Sequence, residues 1–339
     1  MREFALIEHI RRRFGRTGPS VVRGIGDDAA VLTPPPGRQL VMTTDLLTEG
    51  VHFDRQTASL EEIGYKAAIA NLSDLAAMGA RPDYVLVSLA YPSDCATPDI
   101  LRLYRGMADA CRPYRVALVG GDTSASRSGL FLSLTVTGSV PIGKALLRSG
   151  ARPGDRLYVT GTLGDALAGL QVLAEKRRAS TLRLSSAARR VLIKRHRRPI
   201  AHPRLGQTLS GHRLASAAID LSDGLSGDLR HLCEQSRVGV ELDAAALPMS
   251  PALRAYARSS GTDPITLALQ GGEDYELLFT VPPSKERVLL RMAQRTGRRL
   301  TRIGLIKPAR FGRQIKDATG RLRRLPDTSY EHFRSSGVK

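Results

Sequence analysis

The sequence predicts an α+β protein of two domains, and three observations carry that expectation. At 339 residues the chain is too long for one comfortable core and long enough for two. Strand-like and helix-like stretches alternate in both halves, but not in the strict order of a doubly wound sheet. Between the halves lies RSGARPGD (148–155), dense in Gly and Pro and suited to a hinge. The expected domains are residues 1–147 and 148–339.

In the first half, Phe4, Leu6, Ile7 and Ile10 have helical spacing, with neither an apolar signal core nor a small-residue cleavage site after them. An apolar strand over 39–44 is expected to end at Asp45, followed by a small-residue helix over about 59–78. Then come a strand over 83–90, a helix over about 97–112, a strand over 115–119 ending in GGDT, and an alternating strand over 130–140. The second half restarts with the strand RLYVTG and the helix LGDALAGLQVLA. A basic helix over about 183–197 leads into a Pro-punctuated turn, RRPIAHPRLG. Strand ASAAIDLS, helix GLSGDLRHLCEQS, strand VGVEL, a Gly-rich turn, strand DYELLFTV, an amphipathic helix and strand TRIGLI complete it.

Composition limits the function classes. No apolar run reaches the ~18 residues of a membrane span. Cys95, Cys111 and Cys233 are isolated, with no CxxC and no even framework, so a reducing, cytoplasmic setting is expected. The net charge of +19 invites a nucleic-acid reading. However, the basic residues are scattered and no aromatics interleave with them, so no specific nucleic-acid partner is expected. An Arg-rich surface with attraction for phosphorylated small molecules explains the charge.

Gly138 to Ala145 nearly matches a phosphate-binding loop. Ala145 stands where a metal-binding hydroxyl is needed and Pro141 removes a backbone N–H, so the motif fails on its own mechanism. The acidic motifs are better. In DLSDG, Asp220 and Ser222 fall on one side of a strand end. Asp223 then opens a helix, where its bland role is an N-cap. In VMTTD, Thr43 and Asp45 share one side while Thr44 faces the other. In NLSD, Asn71 and Asp74 share a helix face with Ala67 and Ala70, where an unpaired carboxylate is costly unless a cation neutralises it. GGDT offers Asp122 behind two glycines, and GIGDD offers Asp27 and Asp28. Each motif alone is weak, because Gly-Asp pairs make turns everywhere. Together, several oxygen-rich motifs on a basic chain point to more than one Mg²⁺ bridging carboxylates to phosphates. No HxxxH, HExxH or CxxC set offers a soft-metal site.

In order and combination, GIGDDAAV (24–31), TTDLLTEGVHF (43–53), NLSDLAAMGA (71–80), LVGGDTS (118–124), RSGARPGD (148–155), TGTLGDALAGL (160–170), IDLSDGL (219–225), GGEDYELLFT (271–280) and YEHF (330–333) resemble thiamine-monophosphate kinase. The resemblance covers essentially the whole chain. The wider superfamily includes aminoimidazole ribonucleotide synthetase, selenophosphate synthetase and a hydrogenase-maturation protein. The second would carry a reactive Cys or selenocysteine near its N-terminus and the third a C-terminal Cys. The first Cys here is Cys95 and the chain ends SSGVK.

The resemblance implies the aminoimidazole ribonucleotide synthetase-like architecture: an N-terminal mixed sheet that pairs in a homodimer, and a C-terminal α/β domain completing the active site. It implies transfer from ATP to thiamine monophosphate. Asp28, Thr43, Thr44, Asp45, Asp74, Asp122, Asp220 and Asp223 would hold Mg²⁺ ions. Tyr104, Gly121, Asp122, Arg148 and Ser222 would contact ATP, and His52, Glu273 and Tyr330 the thiamine phosphate. A phosphate-monoester acceptor is already anionic near neutral pH, so direct in-line transfer needs no strong base and no side-chain nucleophile. The competing readings are a related purine-type synthetase and a basic nucleic-acid-binding protein with a vestigial site.

Overall fold

A computed structural model of the chain describes residues 3–15, 20–26, 29–175, 182–328 and 330. They divide into two compact units: Met1–Ala145 with Ala201–His212, and Leu146–Ile200 with Arg213–Lys339. The fold is α+β, as the element pattern predicts.

The first unit contains α1 (Glu3–Phe14), the short strands β1 (Val21–Arg23) and β2 (Val31–Leu32), β3 (Arg38–Thr48), α2 (Leu60–Ala77), β4 (Arg81–Tyr91), α3 (Thr97–Cys111), β5 (Ala117–Ala125) and β6 (Phe131–Pro141). Its main sheet has the order β3-β6-β4-β5. The β4–β5 pair is parallel and the other pairs antiparallel. Helix α2 lies on one face, where Leu47, Leu132, Leu134, Val136, Val85 and Val87 are buried. The opposite face leaves Leu40, Met42, Leu46 and Leu86 exposed, as alternation requires.

In the second unit, β7 (Arg156–Thr160), α4 (Asp165–Glu175) and α5 (Ser186–Arg197) come first. Helix α6 (Pro203–Gly211) follows in the chain but belongs to the first unit, against α2. Then come β8 (Ala217–Asp220), α7 (Leu225–Ser236), β9 (Val238–Asp243), α8 (Pro251–Ser260), α9 (Pro264–Gln270), β10 (Leu277–Val281), α10 (Pro283–Thr296), β11 (Leu300–Pro308), β12 (Arg313–Lys316) and β13 (Leu322–Arg324). The sheet runs β13-β12-β9-β11-β7-β10-β8. Its core is aliphatic, built on Leu157, Val159, Ile219, Leu229, Val240 and Leu278.

Several element expectations need correction. The strand expected to stop before Asp45 continues to Thr48, because Leu47 still finds a buried place and the ladder to β6 runs on to Thr48↔Phe131. Asp45 is therefore mid-strand. GGDT likewise lies inside β5, held by parallel pairing to β4 as far as Tyr91↔Ala125. The turn expected around 197–206 already contains the start of α6, with Pro203 in its first turn. Helices α8 and α9 were not anticipated, although Ser250 and Asp263 accept from backbone N–H groups at their starts and Pro251 and Pro264 follow them. Strand β10 begins only at Leu277, since Glu273 and Tyr275 have φ values of 64° and 53°, which no strand tolerates.

Candidate active site

Helix α2 is built to carry one half of the acidic chemistry. Ser59 caps it: its Oγ accepts from Glu62 N at 3.3 Å while Glu62 Oε2 accepts from Ser59 N at 2.9 Å. Its Ala-rich face lies close on the sheet, and this brings Asp74 against β3. There Thr43 Oγ1 donates to Asp74 Oδ2 at 2.5 Å. Asp45 is two residues on and shares Thr43's side of the strand. Burial, and then the charge of Asp74, push the Asp45 carboxyl up to about 7. Asn71, one turn before Asp74, is fully buried; its Nδ2 donates to Ala67 O at 3.1 Å, and its Oδ1 has no hydrogen-bond partner among the described residues.

Crowded hard oxygens of this kind suit a divalent cation, which would lower the cost of keeping both carboxylates charged. Among the described residues, no three His, Cys, Asp or Glu side chains gather closely enough to hold a metal by themselves.

The other residues of this unit do not all converge. Thr44 points to the opposite face, where its Oγ1 donates to Leu134 O at 3.1 Å and accepts from Thr135 at 3.2 Å. Asp122 is exposed and pairs in register with Ser88, also exposed, on β4. Its strand is three places from β3 in the sheet, about 14 Å at the usual strand spacing. Gly121 is required where it stands, because a Cβ there would lie 2.0 Å from Val87 O. His52 sits in the turn after β3; its Nδ1 accepts from Thr48 N at 3.1 Å, so the proton is on Nε2. Tyr104 is 5% exposed and stacks on Phe14 with centroids 5.9 Å apart, and burial pushes its hydroxyl pKa up. Asp28 lies outside the described residues.

The second unit gathers its predicted residues more tightly. Asp220 ends β8 opposite Leu277 and is 4% exposed. The chain then turns through Ser222 and Asp223 into α7, whose first flanking residue is Gly224 at φ 111°. The N-cap role weighed as the bland alternative for Asp223 therefore falls to glycine, the residue that tolerates this backbone. Glu273 N donates to Ser222 O at 2.8 Å, Tyr275 N to Leu221 O at 2.9 Å, and Tyr330 N to Asp223 O at 3.3 Å. Asp220, Ser222, Asp223, Glu273 and Tyr330 thus meet at one corner of this unit. Arg148 is exposed, its carbonyl accepting from Ser236 Oγ at 2.9 Å.

Three carboxylates that support this corner escaped the sequence reading. Asp228 Oδ2 accepts from Asp223 N at 3.2 Å and Gly224 N at 3.1 Å. Burial, then Asp220 and Asp223, push its carboxyl well above the usual range. Asp274 accepts from Gly164 N at 2.6 Å and Ala166 N at 3.2 Å, the start of α4. Glu276 accepts from Thr160 Oγ1 at 2.5 Å. The available signal was position: Asp228 falls in the first turn of α7, where anions are favoured.

Comparison with known proteins follows this geometry. Two family profiles match in order, AIR synthase related protein, N-terminal domain, over residues 26–140, and its C-terminal domain over residues 152–315. The thiamine-monophosphate kinase of Escherichia coli (strain K12) is 43% identical over 282 residues, which is 83% of this chain and 82% of that one. The chain belongs to the thiamine-monophosphate kinase family. A thiamine-monophosphate kinase from Stenotrophomonas maltophilia K279a, solved by crystallography, superposes with a TM-score of 0.81 at 38% identity, covering 95% of this chain and 98% of that one. The structure of AaThiL complexed with AMPPCP and TMP superposes with a TM-score of 0.77 at 34% identity, covering 98% and 99%. Kinases of this family and the present chain therefore share both units.

Proposed function

We propose that the protein transfers the γ-phosphoryl group of ATP directly to thiamine monophosphate, giving thiamine diphosphate and ADP. The observation that carries this reading is the full-length likeness to a chain solved with AMPPCP and TMP. The acidic geometry of each unit supports it. Thr43, Asp45 and Asp74 would hold Mg²⁺ in the first unit, with Asp28, Thr44 and Asp122 as further ligands. Asp220 and Asp223 would do so in the second. Gly121, Asp122, Arg148, Ser222 and Tyr104 are assigned to ATP, and His52, Glu273 and Tyr330 to the thiamine phosphate. Bound Mg²⁺ would supply charge neutralisation for the phosphates.

The chain's own contribution is positioning. Arg148, if it engages phosphate, offers a planar fork suited to two oxygens. Glu273, held on a left-handed backbone, presents a carboxylate to the cationic substrate. The acceptor phosphate is already anionic, so no side chain needs to remove a proton and no phosphoenzyme is formed.

The protein is also proposed to act as a cytoplasmic homodimer. Its three cysteines are buried and form no disulfide among the described residues, as suits a reducing compartment. Leu40, Met42 and Leu46 stand 56–66% exposed on one sheet face, an apolar surface that a second copy would cover. Among the described residues no helix is long and apolar enough to cross a membrane.

The test is purified protein with ATP, Mg²⁺ and thiamine monophosphate, the product identified by mass. Thiamine diphosphate is expected; its absence, with the protein folded, would remove the assignment. Isolation of a kinetically competent phosphorylated enzyme would instead remove the direct-transfer step.

A further inference from the structure

Helix α5 presents two neighbouring side chains to the loop that carries Glu273. Arg195 Nη2 donates to Glu276 Oε1 at 3.2 Å and to Thr162 Oγ1 at 3.1 Å, and its Nε lies 3.7 Å from Asp165 Oδ2. His196, 8% exposed, has Nδ1 at 3.4 Å from Glu273 Oε2, an ion-pair distance without hydrogen-bond geometry in this structure. One helical turn therefore reaches both carboxylates that flank the buried Asp274.

The position of that turn is set by close packing. A Cβ added at Gly169 of α4 would stand 2.2 Å from Leu192 O and 2.9 Å from His196 Cβ. The two helices thus meet closely at the Leu192 carbonyl and at His196 Cβ, which fixes where the imidazole starts. Glu273 is fixed differently. Its φ of 64° and its N–H bond to Ser222 O hold the backbone, while its side chain remains 27% exposed. A left-handed non-glycine residue at such a point is strain that the surrounding structure must enforce. The backbone settles where Glu273 stands, and the buried imidazole lies where it can settle the direction of the carboxylate.

We propose that His196 is a positioning residue for Glu273, holding its carboxylate in the orientation that receives the cationic thiazolium ring of the substrate. This rests on the reading of Glu273 as a substrate-binding residue. The choice of residue type is informative. An imidazole has no fixed charge and offers one ring N–H, so it can steer the Glu273 carboxylate on substrate binding without cancelling its charge. A Lys at the same place would cancel that charge and offer the substrate a second cation instead.

The experiment is steady-state kinetics and calorimetric binding of thiamine monophosphate with the full chain carrying His196→Phe, His196→Gln, His196→Lys and Glu273→Gln, singly and with Glu273→Gln in the background. Phe keeps a ring in the buried space but has no donor; Gln keeps a donor. For His196→Phe, KM for thiamine monophosphate should rise roughly tenfold, the worth of a hydrogen bond to a charged group that forms when substrate binds, while kcat and KM for ATP stay within about twofold. His196→Gln should recover most of the loss, and His196→Lys should be at least as impaired as Phe. In the Glu273→Gln background, His196→Phe should add less than about twofold, since the group it orients has gone. A loss falling equally on kcat and ATP, a Gln variant no better than Phe, or full additivity with Glu273→Gln overturns the proposal. If His196→Phe does not fold, the comparison of Gln and Lys in the two backgrounds decides in the same way. Wild-type protein that neither binds nor phosphorylates thiamine monophosphate overturns the substrate reading, and this inference with it. Wild-type turnover with unaffected His196 variants overturns this inference alone.

Discussion

Asp45 and Asp74 in the first unit, and Asp220, Asp223 and Asp228 in the second, both crowd carboxylates together, but the two sets are compensated differently. Between Asp45 and Asp74 the structure supplies the Thr43 hydroxyl, which bonds Asp74 at 2.5 Å, and leaves Asp45 with a carboxyl pushed up to about 7. At the second corner two backbone N–H groups, of Asp223 and Gly224, converge on Asp228. That carboxylate belongs to the architecture of the α7 start, and it shapes the turn from which Asp220 and Asp223 are presented. Burial and like charge raise both Asp45 and Asp228, but only at Asp228 do backbone N–H groups offset part of that rise. The difference teaches that Asp45 is the acid with more to gain from a cation.

The sharpest way to break this comparison is to neutralise one acid of each kind. Asp45→Asn should cut turnover by on the order of 10³, the several kcal/mol that metal-held charge stabilisation supplies, and Asp122→Asn should do the same. Near-normal turnover of either variant at saturating Mg²⁺ would remove that residue from the metal set. Asp228→Asn should retain most activity, because the amide oxygen can still accept from the α7 N–H groups.

The pH dependence of stability gives a second, smaller contrast. The folded-state pKa of Asp45 is raised from 3.8 to about 7, so the metal-free folded protein holds this proton more tightly than the unfolded chain. Its contribution is present below pH 4 and is lost as pH rises through 7. Metal-free wild type should therefore lose stability relative to Asp45→Asn between pH 5 and pH 8, by roughly 2–4 kcal/mol for a shift of this size. Denaturant midpoints of the two proteins, measured without Mg²⁺ and again with it, check this. Mg²⁺ should narrow the gap at pH 8, and a gap that does not change with pH would show that Asp45 is not crowded as described.

Much of this was legible in the sequence, for identifiable reasons. Alternation along VMTTD correctly put Thr43 and Asp45 on one side and Thr44 on the other, and i,i+3 spacing put Asn71 with Asp74. What alternation cannot show is where a strand stops, because that depends on a partner strand. Asp45 and Asp122 looked like strand ends and are interior, each held by a ladder that runs past it. Asp228 was missed because it reads as an ordinary helix-start acid. Its distinction is that it is 3% exposed beside Asp220 and Asp223, which only the fold creates. The left-handed Glu273 and Tyr275 were hidden for the same reason: GGEDYEL reads as a turn running into a strand, and nothing in a non-glycine residue announces a positive φ.

The gentlest test compares how helices α2 and α7 begin. Helix α2 starts at Ser59, whose side chain accepts from Glu62 N; α7 starts at Gly224, which has no side chain, and borrows Asp228 from four residues on. Ser59→Ala should cost about 1 kcal/mol, the ordinary worth of a cap, seen as a fall of a few degrees in Tm. It should leave the Mg²⁺ dependence of turnover within about twofold, because Asp74 lies near the far end of α2 and is fixed by Thr43 rather than by the cap. Asp228→Ala should cost as much in stability and should also weaken Mg²⁺ dependence, because the same carboxylate that caps α7 shapes the turn holding Asp220 and Asp223. If the two alanine variants behave alike, with stability lost and metal dependence unchanged in both, then Asp228 is only a cap and the second corner owes its geometry to the sheet alone.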